Sequence, residues 1–198
     1  MYTQEQIESA VKRKGYVWFA GPAEYDVNIV AVRTTKASGR AVTNLFDDWL
    51  TLSYRKDGAW MFHEWQVTTD PGKKAMLQYS NPAGVAILVP GQYRGSHMIG
   101  LHQGKYEALR QQKPVTVYRD RNKDQTYDFV DPETGIFGIN IHRSNPLTES
   151  TYVENWSEGC TVFKRVNQFN TFMDICRQAR KIHGNSFTYT LLLDTDII

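Results

Sequence analysis

Apolar and polar residues alternate along much of the chain, and a helical spacing replaces the alternation in only three places. Residues 26–33 set Val27, Ile29 and Ala31 on one side and Asn28, Val30 and Val32 on the other, which predicts a first core strand. Runs at 49–54 and 60–68 flank Lys56-Asp57-Gly58. An Asp-Gly pair between two such runs predicts a hairpin, because both residues tolerate the backbone a tight turn needs. Residues 85–89, VAILV, are apolar throughout, as in a strand buried on both faces. FGINIH at 137–142 predicts a strand with Ile139 and Ile141 inward and His142 opposite, and short strands are expected at 115–118, 161–163 and 186–193.

The helical spacings fall at 3–14, 105–112 and 167–182. In the first, Thr3 is the expected N-cap, Lys12, Arg13 and Lys14 suit the last turn, and Ile7 and Val11 form a narrow apolar face. In the last, Phe169, Phe172, Met173 and Cys176 form a stripe that places Cys176 in a core. The polar stretch 34–44 reads as a loop and the most flexible part of the chain. The pattern predicts a short N-terminal helical appendage, 1–18, and one domain, 19–198.

Composition narrows the class. The 198 residues suit a single domain with a sizeable core, and 41% hydrophobic against 22% charged residues argues against disorder. Eleven Tyr, nine Phe and five Trp favour a β-rich fold, since aromatics pack well on pleated surfaces. The expected class is mainly β (α+β), a mixed or sandwich-like sheet with a few flanking helices. A net charge of +2 with scattered Lys and Arg leaves no nucleic-acid footprint. No apolar run approaches the ~20 residues of a membrane span. The first residues lack the apolar stretch of a signal peptide, so a substrate outside the cytoplasm implies another delivery route.

The candidate chemistry lies between residues 138 and 163. Fourteen residues separate His142 from Ser157-Glu158-Gly159-Cys160, and Cys160 stands where that loop enters a strand. A thiol becomes a strong nucleophile only as the thiolate, and a neighbouring imidazole is a common way to take its proton. His142 is the candidate base. Gly159 leaves room beside the sulfur, and backbone N–H groups of a tight turn could hold an oxyanion. The other cysteine, Cys176, is expected to be a free core thiol. Papain-like enzymes place Cys before His, and sortases place His much farther upstream with an Arg after the Cys.

The pattern His-x14-Ser-x-Gly-Cys resembles the signature of the L,D-transpeptidase (YkuD-like) catalytic domain, and Val89-Pro90-Gly91-Gln92-Tyr93 resembles an upstream element of that family. The resemblance spans about residues 25–195. It implies a YkuD-like fold, Cys160 attacking a peptide carbonyl of the bacterial peptidoglycan stem, His142 as base, the Gly159 and Cys160 backbone as oxyanion hole, and Ser157 stabilising the turn. No cofactor is implied. Two positions depart from the family: Glu158 replaces a usual His, and Val162-Phe163 follow the nucleophile where Asn or Arg is common. With the missing leader, the second departure leans the expectation towards hydrolysis over transpeptidation. A non-enzymatic virion or wall-binding protein that keeps the fold is the alternative, which Glu158 favours.

Around this pair, Tyr93, Arg94, His97, Arg143 and Trp156 are candidates for binding substrate, Arg143 because its fork of donors matches a carboxylate. Asp120, Asn122, Asp124, Thr126, Asp128 and Asp131 have the spacing of a calcium loop. Gln125 stands where that loop needs glycine and Asp131 where it needs glutamate, so no metal is expected.

Overall fold

The computed structural model describes residues 1–35, 42–78, 80–122 and 124–198. Most of the stretch expected to be flexible lies outside them. In chain order the elements are α1 (Gln4–Arg13), β1 (Asn28–Arg33), β2 (Asp48–Lys56), β3 (Ala59–Thr68), α2 (Lys73–Leu77), β4 (Ala86–Leu88), β5 (Gly91–His102), β6 (Tyr106–Gln111), β7 (Val115–Arg119), β8 (Glu133–Gly135), β9 (Ile141–Arg143), β10 (Thr161–Phe163), α3 (Val166–His183) and β11 (Phe187–Leu193). The class is mainly β with helices, as the alternation predicts.

Among the described residues, eight strands close into a barrel in the order β1, β11, β5, β6, β9, β10, β3, β2, and β4, β7 and β8 form a separate three-stranded sheet. The sheet closes on itself where a sandwich-like arrangement was expected. The β2–β3 hairpin turns at Asp57 (φ 52°) and Gly58 (φ 77°), where left-handed backbone is required. α3 adds Phe169, Phe172 and Met173 to the core shared with Leu50, Leu52, Trp65 and Tyr189, and Cys176 is fully buried there.

α1 packs on the outer side of the barrel, in a cluster of its own. Thr3 and Gln6 form a reciprocal cap at its start. Ile7, Ala10 and Val11 are buried against Val30, Val32 and Leu192, which are on the face of β1 and β11 turned away from the main core. The Tyr2 N–H donates to Glu64 (2.7 Å), and Arg13 donates to the Asp196 carbonyl (2.8 Å).

Residues 105–112 correct another expectation, since 106–111 form a strand and not a helix. Glu107, Ala108, Leu109 and Arg110 are good helix formers, but Gln103 (φ 50°) and Gly104 (φ 71°) turn the chain back so that β6 pairs with all the far half of β5. Burial of Ala108 and Leu109 in the core outweighs a propensity of a few tenths of a kcal/mol per residue.

The strand expected over 137–142 is also shorter, with only 141–143 laddered. Ile139 and Ile141 are buried as predicted, yet before β9 the backbone partner is a side chain. Gln111 Oε1 accepts from the N–H groups of Phe137 and Ile139 (3.0 Å each), and its Nε2 donates to the carbonyls of Lys113 (2.9 Å) and Gly135 (2.8 Å). Replacing Gln111 with leucine is expected to cost at least about 2 kcal/mol in a urea melt, because each buried backbone group left without a partner costs ~1–3 kcal/mol. An unchanged midpoint would mean that water takes over those bonds.

Arg33 links the barrel to the small sheet. Its Nη1 donates to the Leu88 carbonyl of β4 (2.9 Å), its Nη2 to the Thr69 carbonyl (2.9 Å), and its Nε to Thr69 Oγ1 (2.9 Å). Asp70 Oδ1 lies 2.9 Å from the same Nε, an ion pair whose N–H is aimed at Thr69.

Candidate active site

A cleft of about 750 Å³ lies between the small sheet and the end of the barrel. Gly84, Ala86 and Arg119 line one wall, and His102, Tyr106 and His142 the other, with Cys160 among the lining residues. The two sequence-derived reactive groups therefore share one cavity. Its volume is in the range of small-molecule and peptide sites.

The parallel pairing of β9 with β10 brings them together: Ile141 is opposite Thr161 and His142 opposite Val162. Side chains alternate along a strand, so His142 and Val162 share a face, and Cys160, two residues before Val162, enters the cleft at its edge. Gly159 has φ +128°, and a Cβ there would come 2.2 Å from the Ala86 carbonyl oxygen. Only glycine allows the turn to press against β4, where the Ala86 N–H donates to the Glu158 carbonyl (3.0 Å).

Ser157 braces the same turn. Its Oγ donates to the Cys160 carbonyl (2.8 Å) and accepts from the Gly159 N–H (3.1 Å). That second bond alters the expected oxyanion hole. The Gly159 N–H is engaged, whereas the Cys160 N–H has no acceptor among the described residues and is the donor left over.

The thiol is neutral at rest. Cys160 Sγ accepts from the Asn140 N–H (3.4 Å) and donates to the Gly138 carbonyl (3.4 Å). Burial pushes the thiol up to about 11; the Asn140 N–H pulls it partly back, and the Glu158 charge adds to the rise. The residue is only partly buried, so water in the cleft moderates the effect of burial. The Glu158 carboxylate is held by the N–H (3.3 Å) and hydroxyl (2.5 Å) of Ser80.

His142 is buried, and its Nδ1 lies 2.9 Å from the Arg143 carbonyl oxygen. A carbonyl only accepts, so the proton is on Nδ1 and the lone pair on Nε2. Nε2 has no partner among the described residues, and no hydrogen bond joins it to Cys160 in this resting arrangement. Burial, then repulsion whenever the neighbouring His102 is charged, and the Arg143 guanidinium hold the His142 ring neutral, with its pKa down to about 3.

Arg143 and Trp156, from the segment between His142 and Cys160, line the cleft. The Arg143 guanidinium stacks 4.0 Å from the Tyr106 ring centre and donates to the Ser144 carbonyl (3.1 Å). Tyr93, Arg94 and His97 are elsewhere, which corrects the expectation for all three. The Tyr93 hydroxyl donates to the Val89 carbonyl (2.6 Å), and Arg94 lies over Phe19 at a separate surface pocket. His97 is wholly buried, between the Ser96 hydroxyl (2.8 Å) and the Ile139 carbonyl (2.9 Å).

Residues the alternation did not single out complete the walls. His102 stacks on His142 with ring centres 4.1 Å apart and planes within 19°. Tyr106 places its hydroxyl 3.4 Å from both His142 Nδ1 and the Arg143 carbonyl. The Gln103-Gly104 pair was the available signal, since reading it as a turn would have aligned 97–102 with 106–111.

In the acidic loop, Asn122 Oδ1 accepts from the Asp124 N–H (3.1 Å) and Asp124 Oδ1 from the Thr126 N–H (2.8 Å), so both close turns in their own backbone. Gln125, at the position that needs glycine in a calcium loop, has φ 66°. No group of three or more His, Cys, Asp or Glu side chains placed to hold a metal occurs among the described residues.

The buried histidines set a pH dependence. Burial lowers His97 to about 4 and His142 to about 3, from an ordinary 6.5. Between those values and 6.5 the unfolded chain binds protons that the native protein excludes. Stability is therefore expected to fall as pH drops from 6.5 towards 4, by up to about 1.4 kcal/mol per pH unit for each ring, and to be flat in this respect above pH 7. Urea midpoints at pH 7.5, 5.5 and 4.5 check it. Equal midpoints would show that the rings accept protons in the folded state.

No protein-family model matches the chain, and neither curated proteins nor solved structures give a match. No helix among the described residues is long and apolar enough to cross a membrane.

Proposed function

We propose that the protein is a cysteine acyl-transfer enzyme of the L,D-transpeptidase (YkuD-like) kind, acting on stem peptides of bacterial peptidoglycan. The observation that carries the chemistry is the tautomer of His142: Arg143 holds the proton on Nδ1, leaving Nε2 as a free base in the cleft that contains the Cys160 thiol. The substrate class rests on the His-x14-Ser-x-Gly-Cys pattern.

In this reading substrate closes the cleft and the thiol proton passes from Sγ to His142 Nε2. The thiolate adds to a stem-peptide carbonyl, and the Cys160 N–H donates to the oxyanion. As the tetrahedral intermediate collapses, His142 returns its proton to the leaving amine and a thioester remains. Water or an acceptor amine then attacks that thioester, losing its proton to His142, and as the Sγ–C bond breaks the leaving thiolate takes that proton back from His142 Nε2.

Val162 and Phe163 are fully buried, so neither forms an acceptor groove after the nucleophile. That favours water as acceptor, since transpeptidation requires an amine held in place and water excluded. Incubation with purified muropeptides followed by mass spectrometry tests the reading. Shortened stems are expected; cross-linked dimers or exchanged terminal residues would restore transpeptidation, and unchanged muropeptides with no acyl adduct on Cys160 would remove the enzyme.

One observation favours a second reading. A thiol pushed up to about 11, with Glu158 adding to the rise and no hydrogen bond to His142, is also what a binding protein with weakened chemistry would keep. A virion or wall-binding component would then hold stem peptides in the cleft without cleaving them.

A further inference from the structure

The cleft holds a second imidazole that the thiol–imidazole pair does not use. His102 is on β5 and only 7% exposed, and its ring lies on that of His142. Two imidazoles at this distance cannot both carry a positive charge without strong repulsion, so what fixes the charge of His102 affects what His142 can do.

The hydrogen bonds fix it. The Gln111 N–H donates to Asn140 Oδ1 (2.9 Å), and a backbone N–H can only donate, so the oxygen of that amide faces Gln111. The Asn140 amide nitrogen therefore faces His102 Nδ1, 3.3 Å away. An NH2 group can only donate, which leaves Nδ1 of His102 as the acceptor and its proton on Nε2. A second proton on Nδ1 would meet the amide hydrogens head on. The charged groups around His102 act in the same direction: Arg110 from β6, Lys105 from the turn and Arg143 from β9 all oppose a positive ring, as does burial. The remaining neighbours, His142 and the Tyr106 hydroxyl, bring no negative charge.

We infer that His102 is a positioning residue for His142: an imidazole kept neutral by Asn140, whose ring face supports the imidazolium that His142 becomes when it takes the Cys160 proton. The inference rests on the thiol–imidazole reading above. A neutral π face stacked on a cation in a partly desolvated site stabilises the cation, and the rigid stack fixes the ring plane of the base. His142 and His102 thus hold complementary tautomers for complementary tasks. One ring can accept a proton and the other cannot.

The test is the pH–rate profile for iodoacetamide alkylation of Cys160, read by intact mass so that Cys176 is resolved separately. In the parent protein Cys160 is expected to react faster than in His142→Ala. His102→Ala should lower the rate about tenfold at every pH, and His102→Phe, which restores a neutral stacked ring, should recover most of the loss. Asn140→Asp keeps the acceptor for Gln111 but offers a carboxylate to Nδ1, so His102 gains a proton. A new acidic limb should appear, with the rate falling as pH drops through the raised His102 pKa. The double variant Asn140→Asp/His102→Phe carries the same carboxylate without the imidazole and should lack that limb.

A long-range 1H–15N spectrum of the parent protein adds a readout that needs no variant to fold: Nε2–H at His102 and Nδ1–H at His142 are expected. The opposite tautomer at His102, or parent-like rates in His102→Ala, overturns the inference while leaving the base intact. A parent rate equal to that of His142→Ala overturns both.

Discussion

Replacing His142 with alanine is expected to slow turnover of muropeptides by roughly 10²–10⁴-fold, and Cys160→Ala to abolish it together with the acyl adduct. Both variants should fold. Cys160 is at the cleft surface, and the alanine at 142 leaves the β9 ladder untouched. The sharper measurement is chemical. If Nε2 takes the thiol proton, iodoacetamide should modify Cys160 near neutral pH far faster than Cys176, which burial raises well above any working pH. Equal slow rates at the two cysteines would leave the binding-protein reading standing, and turnover by Cys160→Ala would end the mechanism.

A large effect on stability is expected from one methyl group. In Gly159→Ala the new carbon would lie 2.2 Å from the Ala86 carbonyl oxygen, on a backbone at φ +128° that side chains rarely adopt. Neither conflict has a flexible side chain to absorb it. Strain of this kind costs ~1–3 kcal/mol from the backbone alone, and displacing β4 from the turn adds to it, so a loss of about 3–5 kcal/mol or failure to fold is expected. Gly15→Ala is the control: its φ is +72° but nothing lies within 4 Å, and about 1 kcal/mol should cover it. Thermal or urea midpoints of the two variants decide the matter, and similar losses would mean that space at Gly159 is unimportant.

Local signals in the sequence were most reliable where one element suffices to bury a face. The Asp57-Gly58 hairpin, the stripe of α3 with Cys176 in the core, and the alternation of β1 all follow from spacing alone. Closure of the barrel is not local. It depends on which distant edges meet, and the parallel β1–β11 pairing joins strands more than 150 residues apart. The residues of β6 favour a helix in isolation, and only the partner β5 decides otherwise. The candidate site divides in the same way. His142 and Cys160 stand out by order and interval, whereas His102, Tyr106, Asn140 and Gln111 are polar residues whose roles exist only once β5, β6 and the segment before β9 converge. Tyr93 and His97 lie near a Pro-Gly element in sequence, but the inward face of β5 takes them into the barrel packing.

The pair β9 and β10, which holds His142 and follows directly on Cys160, is also the thinnest part of the barrel wall. β9 meets β6 through a single residue pair, Leu109 with Ile141, and β10 meets β3 through two, whereas β2 and β3 share nine. Few laddered amides mean a small free energy of local opening, so amide hydrogen exchange should be fastest in the wall at this seam and slowest in the β2–β3 hairpin. On gradual warming, the packing around the Cys160 thiol would then be lost while circular dichroism still reports an intact barrel.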